Sequence, residues 1–63
     1  MLERMEKFKI TKIEKECFFL KLGAIIYIDF ITNRVYSEDK EQYMPLSILE
    51  QCKVDGAQVK EHD

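Results

Sequence analysis

The stretch that decides the fold is IIYIDFITNRVYS, residues 25–37. Its first part is rich in isoleucine and aromatic residues, a composition that favours a strand, and we predict one strand over Ala24–Ile31. A second strand over Arg34–Ser37 follows a turn at Thr32–Asn33 or Asn33–Arg34, because asparagine tolerates the left-handed backbone that tight turns require. The stretch therefore predicts a β-hairpin.

The two faces of this hairpin follow from the pairing. Directly opposed residues of an antiparallel pair share a face, and both turn positions put Ile26 and Ile28 on the same face as Val35. A three-residue loop would reverse the assignment. We assign this apolar face to the core of the protein.

Three further strands extend the hairpin into a meander. We predict a strand over Glu16–Leu22, joined tightly to the hairpin at Gly23, and a strand over Lys7–Ile13 with a bend or bulge near Thr11–Lys12. Tyr43 and Met44 form a short additional strand beyond a solvated loop over Glu38–Gln42.

A short helix is predicted after these strands. The sequence SILE, residues 47–50, has the spacing of a capping box in which Ser47 is the N-cap and Glu50 reaches back to its amide. Pro45 is a competing first helical residue, and the helix is expected to end near Cys52 or Lys53.

The predicted fold is one small domain over residues 1–63, with frayed termini over 1–6 and 54–63. Its class is mainly β (α+β). The architecture is a small antiparallel meander or a partly closed SH3-like barrel of three to five strands, with one short C-terminal helix. A chain of 63 residues buries only about 60% of its surface, so a partner or a staple is expected to add stability.

The second face of the meander is also largely apolar. Either the sheet curls into a small barrel that hides both faces, or another chain packs on the second face. Tyrosine and arginine are enriched at interfaces because each joins a large contact area to a polar group. The expected contact residues are Phe18, Leu20, Tyr27, Arg34 and Tyr36. We therefore expect a non-enzymatic protein-binding module, an adaptor, regulator or inhibitor, which also forms a homodimer or larger assembly.

Charge and length argue against two other classes. The net charge is −2, with six Lys/Arg against four Glu in residues 1–22 and four against eight Asp/Glu beyond them. An alternative function is nucleic-acid binding by the lysines between Lys7 and Lys21 together with Phe8, Phe18 and Phe19, but neither half is strongly basic. The apolar run over residues 17–31 is too short and too charged for a membrane helix, so we expect a soluble protein. The charged residues 1–7 lack the apolar core and cleavage site of a signal peptide, so we expect the protein to be cytoplasmic.

Residues suited to catalysis or metal binding are scattered. Cys17, Cys52 and His62 lack the spacing of metal ligands, and His62, the only histidine, falls in the expected tail. The two cysteines are expected to be free, buried thiols of a reducing compartment. Asp29 is expected to pair with Arg34 rather than act as an acid. No enzyme activity, cofactor or metal is predicted.

Overall fold

The computed structural model describes residues 5–60 and is mainly β, with five antiparallel strands in one sheet and one short helix. The elements are β1 (Glu6–Lys12), β2 (Ile25–Asp29), β3 (Arg34–Tyr36), β4 (Tyr43–Pro45), α1 (Ile48–Gln51) and β5 (Asp55–Gln58). The strand order is β4-β3-β2-β1-β5. This arrangement agrees with the predicted small meander or barrel-like fold.

One face of the sheet, which we call the inner face, carries the core. Ile26 and Ile28 of β2 and Val35 of β3 are buried there, and Ile28 lies directly opposite Val35. The loop between β2 and β3 has four residues rather than two, because Asp29 pairs with Arg34. An even number preserves the pairing parity, so the predicted core face is confirmed although both predicted turn positions were wrong.

Strand β1 lies between β2 and the edge strand β5. It pairs with β2 on one side and with β5 on the other. The register to β5 shifts between Ile10 and Lys12, which confirms the predicted bulge near Thr11–Lys12. Ile10 is buried in the core.

The predicted strand over Glu16–Leu22 was wrong. These residues lie in the connection between β1 and β2, residues 13–24, which we call the β1–β2 loop. Cys17 and Leu20 pair through an isolated bridge, in which each amide donates to the other carbonyl, at 3.1 and 2.8 Å. The apolar run thus folds back on itself as a turn instead of extending along β2.

The strand that pairs with β2 is β1 instead. The Ile10 carbonyl accepts a hydrogen bond from Gly23 at 2.8 Å, and the Ile10 amide donates to Ala24 at 2.9 Å. Gly23 is in a turn, as predicted, with a φ of 85°. The sequence did not reveal this pairing because the β1–β2 loop is itself apolar and resembles a strand.

The helix begins where the sequence predicts, but without the predicted capping box. Ser47 is the N-cap, and its side chain makes no capping hydrogen bond. The Glu50 amide donates to the Ser47 carbonyl at 3.1 Å, so backbone bonds define this single turn. The helix is followed by a strand rather than by the chain end.

The prediction of a frayed segment over 54–63 was wrong for Asp55–Gln58, which form β5. Residues 1–4 and 61–63 lie outside the described residues, and Glu6 belongs to β1. Sequence DGAQ has low strand propensity, so its pairing depends on the exposed backbone of β1. At Gly56 an added Cβ would stand 3.0 Å from the Lys9 carbonyl oxygen.

Replacing Leu20 with alanine tests the corrected core. Leu20 is fully buried among Ile10, Ile26, Ile28 and Val35, so Leu20→Ala is expected to lower the free energy of unfolding by about 2–5 kcal/mol. Leu22, which is 63% exposed in the same loop, is the matched control. Leu22→Ala should change the free energy of unfolding by less than about 0.5 kcal/mol. Urea denaturation measures both. Equal effects would contradict the described loop.

Replacing Gly56 with alanine tests the pairing of β5 with β1. The added methyl group would crowd the Lys9 carbonyl, which is backbone and cannot rotate away, so Gly56→Ala is expected to lower the unfolding free energy by roughly 1–3 kcal/mol. Urea denaturation again gives the value, and Ala57→Ser in the same strand serves as the control. A frayed segment would instead tolerate both changes equally.

Candidate protein-binding surface

The opposite face of the sheet, the outer face, carries a row of tyrosines. Tyr27 of β2 pairs with Tyr36 of β3, which in turn pairs with Tyr43 of β4. Because opposed residues share a face, the three rings lie side by side across three strands, and Lys7 of β1 lies opposite Tyr27. We call Tyr27, Tyr36 and Tyr43 the tyrosine row.

Cations lie against the two outer rings of this row. The Arg34 guanidinium carbon is 4.5 Å from the Tyr43 ring centroid, and the Lys40 ammonium nitrogen is 4.5 Å from that of Tyr27. The Tyr36 and Tyr43 rings are tilted by 45° with centroids 5.6 Å apart. Such cation–π contacts fix both the rings and the charged side chains.

Arg34 joins several of these groups. A hydrogen bond with Tyr36, followed by the electrostatic influence of Tyr43, raises the pKa of Arg34 above its ordinary value. Its strand partner is Asp29, directly opposite rather than diagonal as one of the predicted registers implied. Asp29 Oδ1 also accepts hydrogen bonds from the amides of Ile31 and Thr32, at 2.9 and 3.2 Å. This carboxylate therefore organises the β2–β3 loop beside Arg34.

The loop that carries Lys40 is held by a second carboxylate. Asp39 accepts hydrogen bonds from the Ser37 hydroxyl, at 2.5 Å, and from the Glu41 amide, at 3.0 Å. The bond from Ser37, followed by that from Glu41, lowers the pKa of Asp39. Lys40 is thus presented to Tyr27 from an ordered turn.

A shallow groove lies beside β4. It encloses about 210 Å³ and is lined by Phe18, Phe19, Gln42, Tyr43 and Met44. Tyr43 belongs to both this groove and the tyrosine row, so the two features form one continuous surface. We call this groove the Phe18 groove after Phe18, which is 78% exposed.

Phe18 has an unusual backbone for its residue type. It is 78% exposed, and its φ is 53°, in the left-handed region that favours glycine and is rare for bulky residues. It follows Cys17 in the turn closed by the Cys17–Leu20 bridge. The turn therefore presents the phenyl ring outward while Leu20 points into the core.

The backbone of Tyr43 faces the open edge of β4. The Ser37 amide donates to the Gln42 carbonyl and the Leu46 amide to the Asn33 carbonyl, both at 2.9 Å. Hydrogen-bonded and non-hydrogen-bonded pairs alternate along an antiparallel ladder. The N–H and C=O groups of Tyr43 therefore point away from β3, toward the edge of the sheet and the groove.

The structure brings four of the five predicted contact residues to the surface. Tyr27, Arg34 and Tyr36 lie on the outer face, and Phe18 lies in the adjoining groove. Leu20 was wrong as a contact residue, since it is fully buried in the core. Tyr43 was not predicted as a contact residue. It lies in a short predicted strand after β3, and pairing that strand with β3 would have placed Tyr43 opposite Tyr36.

The aromatics of the nucleic-acid alternative differ in exposure, although Phe18 and Phe19 both line the Phe18 groove. Phe8 and Phe19 are partly buried and pack against the core, which leaves Phe18 as the exposed member of the three. Lys9, Lys12, Lys15 and Lys21 are exposed on β1 and the β1–β2 loop, interspersed with Glu14 and Glu16.

The two cysteines lie close together. Burial is the largest cause that raises the pKa of Cys52, followed by the charge of Cys17 and a hydrogen bond between the two thiols. Cys52 is buried and Cys17 is partly buried. His62 lies outside the described residues, and residues 5–60 contain no group of three His, Cys, Asp or Glu side chains placed to hold a metal ion.

A larger groove lies at the end of β1. It encloses about 580 Å³ between the end of β1, the start of the β1–β2 loop and the segment after α1. Its lining mixes lysines with acidic residues around Ile13, Leu49 and Val54 and contains no aromatic ring. It lacks the anchoring side chains that the Phe18 groove offers.

Comparisons with known proteins do not extend these observations. None of the helical residues described between Met5 and Lys60 form a segment with the length and hydropathy needed to span a bilayer. No protein-family model, no curated protein and no solved structure matches the chain.

Proposed function

We propose that this protein is a non-enzymatic protein-binding module. Its binding surface consists of the tyrosine row, Arg34 and the Phe18 groove. The partner is another protein that the module recruits, regulates or inhibits.

The observation that carries the proposal is the state of Phe18. A left-handed backbone at a non-glycine residue costs about 1–3 kcal/mol, and an aromatic ring that is 78% exposed returns little of that cost through burial. Glycine would relieve this cost at the same position. The turn explains the left-handed backbone at position 18, and a binding role explains why phenylalanine rather than glycine occupies it.

The loop that presents Phe18 is also ordered in advance. The Cys52 carbonyl accepts hydrogen bonds from the amides of Glu14 and Lys15, at 3.0 and 3.3 Å. The Glu16 carboxylate accepts one from the Leu22 amide, at 3.0 Å. A loop fixed in this way loses less conformational entropy when a partner binds, which strengthens binding.

The composition of the surface favours a protein partner. Tyrosine and arginine are the residue types that dominate binding energy at protein interfaces. In addition, the outward N–H and C=O of Tyr43 can pair with the backbone of an extended peptide segment, as in strand addition to a sheet edge. Nucleic acid offers no such backbone, and the chain carries a net charge of −2.

Self-association through the same surface is part of the proposal. The core of a 63-residue domain supplies little stability, and oligomerisation is one way in which small domains gain more. A second copy would cover the tyrosine row. The molar mass measured by light scattering as a function of protein concentration tests this. A dimer that the surface variants below convert to a monomer supports the proposed surface, and a dimer that they leave intact places self-association elsewhere.

Replacing Phe18 with glycine separates binding from folding. Phe18→Gly is expected to leave the free energy of unfolding unchanged or to raise it by up to about 1 kcal/mol, because glycine relieves the left-handed backbone. The same variant should lose at least about tenfold in affinity for the partner, which is what the loss of an aromatic anchor costs. Thermal unfolding and capture of proteins on the immobilised chain from a lysate of the source organism measure the two effects.

The matched control for this experiment is Leu22→Ala, which removes an exposed apolar side chain elsewhere in the same loop. Capture that survives nuclease and high salt, is retained by Leu22→Ala and is lost in Phe18→Gly supports the proposal. Capture that disappears on nuclease treatment favours the nucleic-acid alternative. Equal capture by all three chains rules out the Phe18 groove.

Replacing Tyr27 with lysine tests the tyrosine row itself. The substitution removes the ring under Lys40 and places two cations together on the outer face, so association should be abolished while the chain stays folded. Circular dichroism and light scattering distinguish the outcomes. An unfolded Tyr27→Lys chain would mean that the outer face belongs to the core, which would contradict the proposed surface.

A further inference from the structure

We propose that Cys17 and Cys52 form a reversible intramolecular disulfide that ties the β1–β2 loop to the C-terminal end of α1. The inference concerns the thiols alone and stands independently of the proposed binding function. The chain contains two cysteines, and the fold brings both to one place although they lie far apart in the sequence.

Backbone contacts establish this proximity. The carbonyl of Cys52 accepts hydrogen bonds from the amides of Glu14 and Lys15, at 3.0 and 3.3 Å. Lys15 is only two residues before Cys17, so the loop enters its turn while still bound to Cys52. The Cys17 side chain also lies near enough to the Cys52 thiol to raise its pKa.

The two thiols differ in exposure, and this difference determines which of them reacts first. Cys52 is 3% exposed, whereas Cys17 is partly buried in the loop. An external oxidant therefore meets Cys17 first. The buried thiol is positioned to resolve the adduct that forms there, which is the arrangement typical of thiol pairs that cycle between oxidation states.

The proposed oxidant is a small-molecule disulfide, RSSR. The Cys17 thiolate attacks one sulfur of RSSR, forming a mixed disulfide and releasing RS⁻. The Cys52 thiolate then attacks Cys17 Sγ, forming the Cys17–Cys52 bond and releasing the second RS⁻. The two thiol protons are taken up by the two RS⁻ groups, so two protein thiols are oxidised and one RSSR is reduced to two RSH.

The bond closes a long loop, and that has a measurable consequence. A cross-link between distant residues lowers the entropy of the unfolded chain. The oxidised form of the full chain is therefore expected to melt roughly 10–20 °C above the reduced form. Dithiothreitol should reverse the shift.

The experiment treats the reduced, folded chain with oxidised glutathione and follows free thiols, intact mass and melting temperature. The expected product has the intact mass of a single chain that has lost two hydrogen atoms, with no free thiol and with a Cys17–Cys52 cross-link in its peptide map. Cys17→Ser and Cys52→Ala should show no rise in melting temperature. If Cys52→Ala does not fold, Cys17→Ser alone provides this control.

A second comparison tests whether folding favours formation of the Cys17–Cys52 disulfide. The equilibrium constant for oxidation by glutathione should be at least about tenfold larger for the folded chain than for the chain in urea, because a bond that stabilises the fold is itself favoured by folding. Equal constants overturn the proposal. So do a product with glutathione on both cysteines and no cross-link, or disulfides that form only between chains.

Discussion

The packing of Leu20 against the inner face of the sheet is the contact on which the remaining structure depends. Leu20 comes from the β1–β2 loop and is fully buried against Ile26 and Val35. Partly buried residues of α1 and its flanks pack against the same core cluster, among them Leu46, Ile48 and Leu49. In so short a chain, these elements cover one face of the sheet.

The residues of the outer face follow from the way the inner face is packed. With Ile26, Ile28 and Val35 turned inward, the pleat of each strand turns Tyr27, Tyr36 and Arg34 outward. The same turn that sends Leu20 into the core sends Phe18 out beside Tyr43. Core and candidate surface are therefore two results of one backbone arrangement, and the strained conformation of Phe18 is where they meet.

Sequence reasoning predicted the core face of the hairpin correctly because that assignment requires only the two-residue period of a strand. The assignment of Ile28 and Val35 to one face holds for any even loop, so it survived an error of two residues in the loop length. It failed for residues 16–22, because apolar residues on both sides of a segment do not distinguish a strand from a turn packed on the core. It also failed for β5, whose pairing is imposed by β1 rather than by its own composition.

The candidate surface was predictable to a similar degree. Tyr27, Arg34 and Tyr36 followed from strand parity, and Phe18 was placed correctly as a surface residue. Leu20 was wrongly assigned to the surface because a strand would place it on the same face as Phe18. In the observed turn the two side chains point in different directions, Phe18 to the surface and Leu20 into the core. The meeting of Cys17 with Cys52 depends on backbone bonds from the loop to the end of the helix, which no spacing rule reveals.

The measurement that tests the central claim most directly is hydroxyl-radical footprinting, read by mass spectrometry, of the free chain at a concentration at which light scattering shows a monomer, and of its complex with the captured partner. The account predicts that Phe18, Tyr36 and Tyr43 react in the free chain and are protected in the complex, while Leu22 reacts equally in both. Protection confined to Ile13, Leu49 and Val54, with Phe18 and the tyrosines unchanged, would contradict it and place the interface in the larger groove.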